Sequence, residues 1–261
     1  MTLVDTHCHL DAHYFPEGAD AVVARARTAG VHGFVVIGVG ADLQPAREAI
    51  ELARRVPASI AAVVGVHPHD AAGLDAARRE ELAALAADPA VVAVGETGLD
   101  YHYDHSPREA QREAFAWHIA LARSIGKPLV IHTRSAPADT LDVLVAEGAR
   151  DVGGIIHCFS EDWAFAQRAL ELGFWISFSG IVTFKNAKAI QEVASKVPAD
   201  RYLVETDSPY LAPIPFRGKP CEPAYVVHIA ARIAELRAES VERVHADTSR
   251  NAEQVFRRTF V

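Results

Sequence analysis

His7 and His9 stand one residue apart in the run Leu3-Val4-Asp5-Thr6-His7-Cys8-His9. On an extended strand, side chains two positions apart leave the same face, so both imidazoles can reach one cation while Cys8 turns away. Such a pair is common on surfaces and in cores, and it gains meaning from Glu96, His132, His157 and Asp207, each placed after a short run of Val, Ile or Leu. Four imidazoles and two carboxylates exceed what one tetrahedral zinc takes; they suit two adjacent divalent ions bridged by a carboxylate such as Glu96. The chemistry of such a pair is hydrolytic, because two ions sharing a water lower its pKa toward about 7 and polarise the bond under attack.

Residues this far apart meet only in a fold that gathers strand ends. Candidate strands are Leu3–Val4, Gly33–Ile37, Ile60–Val64, Val91–Val94, Pro128–Ile131, Gly154–Ile156, Phe174–Phe178 and Tyr202–Val204. Apolar residues at three- and four-residue spacing predict helices between them, among them Ala19–Ala29, Gln44–Arg55, Ala76–Ala87, Arg108–Ser124 and Ala164–Glu171. Strand then helix, eight times, predicts an α/β chain folded as a (β/α)8 TIM barrel, with Glu96, His132, His157 and Asp207 following strands four, five, six and eight. Near-continuous apolar strands fit a parallel sheet buried on both faces. An open doubly wound sheet would need a phosphate-binding glycine fingerprint, and none follows the first strand. Two further helical stretches, Ala224–Leu236 and Ser240–Phe260, are assigned to the outer layer, so residues 1–261 are expected to form one domain.

Half of the 261 residues are hydrophobic, enough for a large core. A net charge of -8 argues against broad electrostatic affinity for nucleic acid, although a local basic rim can coexist with an acidic metal site. Cys8, Cys158 and Cys221 are odd in number and widely spaced, resembling neither a disulfide framework nor a zinc knuckle. With no secretory leader before the first strand and no apolar run near the roughly 18 residues that span a bilayer, a cytoplasmic protein is expected. Trp117, Trp163 and Trp175 lack the clustering of a base-stacking stripe and are read as core.

Seven segments carry a family resemblance. Asp5-Thr6-His7-Cys8-His9-Leu10-Asp11, Gly65-Val66-His67-Pro68-His69, Gly95-Glu96-Thr97-Gly98-Leu99-Asp100-Tyr101, His132-Thr133-Arg134, Gly154–Ser160, Ser179–Lys185 and Glu205–Leu211 resemble, in order and nearly end to end, the motifs of the TatD family of metal-dependent deoxyribonucleases. The resemblance implies that His7, His9, Glu96 and Asp207 hold one ion and that Glu96, His132 and His157 hold a second, with Glu96 bridging. Related amidohydrolases use a carboxylated lysine as the bridge, and no lysine lies near the fourth strand here. One departure stands out: where the family usually has Arg-Gly-Lys-x-Asn-Glu-Pro, this chain has Arg217-Gly218-Lys219-Pro220-Cys221-Glu222-Pro223.

By position and by analogy with related hydrolases, Asp207 is the group expected to orient or deprotonate the attacking water, with Glu96 as its catalytic companion. Arg134, Lys185, Arg217 and Lys219 are candidate contacts for phosphate oxygens. His67, His69, Asp5, Asp11, Asp100 and Tyr101 flank the ligand motifs and are kept outside the metal set, as supports or substrate contacts. The resemblance implies DNA as substrate, cleaved by an exonuclease that trims strand ends. The same centre would also serve a small ester, amide, phosphotriester or misacylated nucleic acid, since activated water attacks phosphorus and carbonyl carbon alike. A non-catalytic metal-stabilised binding protein is the reading of another class. Imidazole donors suit zinc, manganese, iron or nickel, whereas the family is commonly described as magnesium-dependent.

Overall fold

The computed structural model describes residues 3–40 and 42–261; Met1, Thr2 and Ala41, within the expected domain span, lie outside the described residues. Eight strands, β1 (Leu3–Cys8), β2 (Val31–Val39), β3 (Ile60–Gly65), β4 (Val91–Asp100), β5 (Leu129–Arg134), β6 (Gly154–Ile156), β7 (Phe174–Phe178) and β8 (Tyr202–Val204), form one sheet in sequence order. Every adjacent pair from β1–β2 to β7–β8 is parallel. Helices α1 (Ala19–Thr28), α2 (Gln44–Arg55), α3 (Ala76–Ala86), α4 (Arg108–Ile125), α5 (Pro137–Ala146), α6 (Trp163–Glu171), α7 (Lys188–Lys196) and α8 (Val226–Arg237) follow the strands in turn, and α9 (Val241–Phe256) follows α8. This is the expected TIM barrel. Helices α3, α6 and α9 begin on a capping side chain: Asp75, Asp162 and Ser240 accept from the backbone N–H groups of Arg78, Phe165 and Arg243.

Strand alternation divides the core into two layers. Val4, Val35, Ile37, Ala61, Val63, Val130, Ile155 and Leu203 fill the barrel, whereas Phe34, Val36, Ala62, Val64 and Cys8 face the helices. Cys8 in the outer layer leaves His7 to the barrel side, and Val4 also faces the barrel because the β1–β2 register shifts between Asp5 and Cys8.

Several boundaries differ from expectation. Glu96 and His132 lie inside strands rather than after them, because pairing continues through Gly98–His132, Leu99–Thr133 and Asp100–Arg134. The polar residues that mark a strand's end in the sequence are here the ones facing the barrel mouth. The last helix stops at Phe256, where Arg257 adopts a left-handed conformation, and Phe260 packs beneath the barrel. Gly33 makes that plug possible, since a Cβ there would stand 2.9 Å from both Phe260 and Val4. The helix expected from Ala224 starts at Val226, after a single 3-10 turn over Pro223–Tyr225.

The barrel closes between its first and last strands. The Asp207 N–H donates to the His7 carbonyl (2.9 Å), the His9 N–H to the Ser208 carbonyl (3.0 Å), and the Thr6 hydroxyl to the Val204 carbonyl (3.0 Å). Buried Asp5 accepts from the Thr206 N–H (2.9 Å) and hydroxyl (2.6 Å), and from the His7 N–H (3.3 Å). These bonds fix His7, His9 and Asp207 relative to one another although 200 residues separate the segments.

His118 on α4 holds the end of β3. Its Nδ1–H donates to the Ala114 carbonyl (2.7 Å), and its Nε2 accepts from the Val66 N–H (3.0 Å), immediately before His67. The ring must be neutral to accept, and burial lowers its pKa from 6.5 to about 4. A depressed histidine contributes stability that is full above the unfolded value near 6.5 and is lost as pH falls toward 4. The stability gap between the wild type and His118→Leu should therefore narrow by about 3 kcal/mol from pH 7 to pH 4. Paired urea melts at the two pH values measure it, and a constant gap would contradict the assignment.

Candidate metal centre

Local irregularity aims Glu96. Gly95 pairs with Val130 and Thr97 with Ile131, so Glu96 has no partner across the β4–β5 ladder and its carboxylate turns into the barrel mouth. Two residues on, Gly98 lets the strands approach: at φ +140 its missing Cβ would lie 2.0 Å from the His132 carbonyl oxygen. That approach brings His132 to Glu96.

The two oxygens of Glu96 face different neighbours. Oε1 lies 2.8 Å from His157 Nε2, 2.9 Å from His132 Nδ1 and 3.4 Å from His67 Nε2. Oε2 lies 3.5 Å from His7 Nε2, which is 3.6 Å from Asp207 Oδ1; the same Asp207 oxygen is 3.8 Å from His9 Nε2. The fold thus gathers all six residues singled out as ligands. It also draws in two others. His67 follows β3 by two residues, and its position along the chain was the available clue. Glu205 accepts from the Cys158 N–H (2.6 Å) and the Ser177 hydroxyl (2.5 Å), and its Oε1 is 3.2 Å from His157 Nδ1. This carboxylate fixes the orientation of the His157 ring from behind.

The buried carboxylates and imidazoles compensate one another's charge. Burial opposes ionisation of Glu96, but His157 and His67 outweigh it and hold the carboxyl well below its ordinary value. Against the same cost of burial, Glu96 and Glu205 raise His157 well above the usual histidine value, and Asp100 and Glu96 raise His132. His9 is the opposite case: burial lowers it to about 3, leaving a neutral ring with a free lone pair. Burial raises Asp207, and it pushes the Asp5 carboxyl up to about 8.

The donor set fits divalent metal. The ring nitrogens and carboxylate oxygens of His7, His9 and Asp207 lie within 4.8 Å of one another, as do those of His67, Glu96 and His132 and those of His7, His157 and Glu205. Both ring nitrogens of His7 are buried without a hydrogen-bond partner, a costly state that a cation at Nε2 would relieve.

Around this centre opens a cavity of ≈ 860 Å³, lined among others by His9, Asp11, His69, Asp100, Arg134, Cys158 and Tyr210. Of the four proposed phosphate contacts, Arg134 lines it, whereas Lys185, Arg217 and Lys219 are exposed and do not. Arg217 instead lies over the Phe184 ring, 4.4 Å from its centroid. Cys221 is fully buried, with its backbone N–H donating to the Pro209 carbonyl (2.9 Å), so the departure from the family pattern packs under the Asp207 segment. Asp100 supports the centre: its Oδ2 is 3.1 Å from His132 Nε2 and 3.0 Å from His69 Nε2. The Tyr101 hydroxyl donates to Asp139 (2.8 Å). The three tryptophans are partly buried against the core.

Comparison with known proteins agrees with this geometry. The family model described as TatD related DNase matches residues 4–257. A Bacillus subtilis protein named as an uncharacterized metal-dependent hydrolase, YabD, is 42% identical over 255 residues, covering 98% of this chain and 99% of its own. A Klebsiella pneumoniae protein named 3'-5' ssDNA/RNA exonuclease TatD is 34% identical over 259 residues, covering 97% of each. The crystal structure of YJJV, a TatD homologue from Escherichia coli, superposes with a TM-score of 0.89 at 28% identity over 98% of each chain. The chain belongs to the TatD family of metal-dependent hydrolases.

Proposed function

We propose that this hydrolase is a nuclease that binds two divalent ions and cleaves DNA phosphodiester bonds from strand ends. One observation carries the reading: the two oxygens of Glu96 face separate sets of imidazoles, at the floor of an open cavity rimmed by Arg134. The exonuclease name of the Klebsiella relative supports the substrate class. In this scheme His7, His9, Glu96 and Asp207 hold one ion, and Glu96, His132 and His157 hold the other, with zinc, manganese or magnesium as the metal. When bound, such ions supply Lewis acidity for water and for phosphate oxygens.

The chain's own groups do the rest. Asp207, raised by burial and edging the cavity, accepts the proton of the attacking water. Arg134 meets the negative charge on phosphate from the rim, and mostly buried His67 touches the substrate side of Glu96. Residues 1–261 act as one domain, and the free thiols Cys8, Cys158 and Cys221 suit a reducing cytoplasm.

Elemental analysis followed by a metal-reconstituted assay tests the reading. Labelled single-stranded DNA, duplex DNA, RNA and a panel of esters are compared, with Glu96→Ala as control. Stepwise shortening of DNA is expected. DNA inert under every metal beside a turned-over ester would overturn it.

A further inference from the structure

We propose that Tyr103, with its neighbours His105 and Arg134, is a stacking platform that grips an unpaired nucleobase next to the metal centre, selecting single-stranded ends. The proposal rests on the nuclease reading above and deepens it.

Exposed aromatic rings first mark the spot. Tyr14, Tyr103 and Tyr210 are 36%, 51% and 48% exposed, and all three line the cavity that holds the ligand residues. They are not equivalent. Tyr14 and Tyr210 are tied to each other through their hydroxyls (2.6 Å) with rings at 74°, a mutual lock that presents edges. Tyr103 runs parallel to exposed His105, with ring planes 6° apart and centroids 5.6 Å apart, and the Arg134 guanidinium lies 4.7 Å from its centroid. An offset stack of planar groups left half open to solvent is a surface that a purine or pyrimidine extends.

Position and charge name the occupant. Tyr103 is pinned by its backbone N–H to Asp100 Oδ1 (2.9 Å), while Asp100 Oδ2 sits 3.1 Å from His132. One carboxylate therefore sets the distance between the platform and a proposed ligand. Arg134 follows His132 by two residues on β5, and among the described residues no carboxylate pairs with it. A cation without a carboxylate partner, lying over one face of a ring that is 51% exposed, matches the two halves of one nucleotide. Bases in a duplex are already stacked and paired and must be extracted before they can reach such a surface, so single strands are favoured.

The test uses the metal-loaded full chain with a labelled thymidine pentanucleotide and with the same strand made abasic. Stacking on an aromatic ring is worth about 5- to 150-fold per base. Tyr103→Ala should raise KM for the pentanucleotide within that range, with the effect on KM exceeding that on kcat, and Tyr103→Phe should restore it. The abasic strand should bind poorly to wild type and be indifferent to Tyr103→Ala. An unchanged KM, or an equal penalty on the abasic strand, overturns the platform. If wild type cleaves neither strand, the nuclease reading fails, and fluorescence anisotropy with the same strands decides the platform separately. Base-dependent binding weakened by Tyr103→Ala supports it; base-independent or undetectable binding overturns it.

Discussion

Replacing Glu96 by Gln should lower turnover by on the order of a thousand-fold, about 4 kcal/mol in transition-state terms. The amide keeps the shape of the side chain but loses the charge that His157, His132 and His7 surround at 2.8 to 3.5 Å. It also loses one of the two acceptor oxygens, so it cannot serve both groups of imidazoles. Metal content should fall with activity, because Glu96 would hold both proposed ions. Elemental analysis beside steady-state kinetics separates the possibilities, and a variant that keeps both its metal and its turnover would remove Glu96 from the centre. Gln111, Asp5 and the rest of the buried polar framework are untouched by this change, so loss of folding is not expected to mimic the result.

Asp207→Asn is expected to act differently, cutting kcat by about 100- to 10,000-fold with a smaller loss of metal. Asp207 sits at the cavity edge, 3.6 and 3.8 Å from the His7 and His9 rings, and burial raises its carboxyl above the usual range. The carboxylate accepts a proton only when it is ionised. The wild-type rate should therefore fall as pH drops through its value, and the Asn variant should lose that acidic limb. A pH–rate profile with the limb intact in Asp207→Asn would assign proton transfer to another group.

Much of this was legible from residue types. The runs around Val35, Val63, Ile131 and Ile155 are apolar on both faces, so their strands and the barrel they build could be read directly. The ends of β4 and β5 could not, because Thr97, Gly98, His132 and Thr133 read as loop residues while their backbones remain paired around the unpaired Glu96. Spacing singled out His7 and His9, which gained meaning only with Glu96, His132, His157 and Asp207, and it left His67 outside the metal set, because the approach of His67 to Glu96 depends on β3 lying against β4. Phosphate contacts were the weakest inference: Arg134, Lys185, Arg217 and Lys219 are alike as charges, and only the fold separates the one at the cavity from the three away from it. The aromatic clue was sought among tryptophans, whereas the exposed rings beside the centre are tyrosines.

The seam between β1 and β8 bears on how the protein is made. One proposed ion draws donors from residues 7, 9 and 207, and the hydrogen bonds joining those segments need β8 in place. A nascent chain synthesised from its N-terminus exposes His7 and His9 long before Asp207 leaves the ribosome. Until then the early histidines have neither their carboxylate partner nor a closed barrel around them. The donors of that proposed ion are thus incomplete in any chain that has not yet released Asp207.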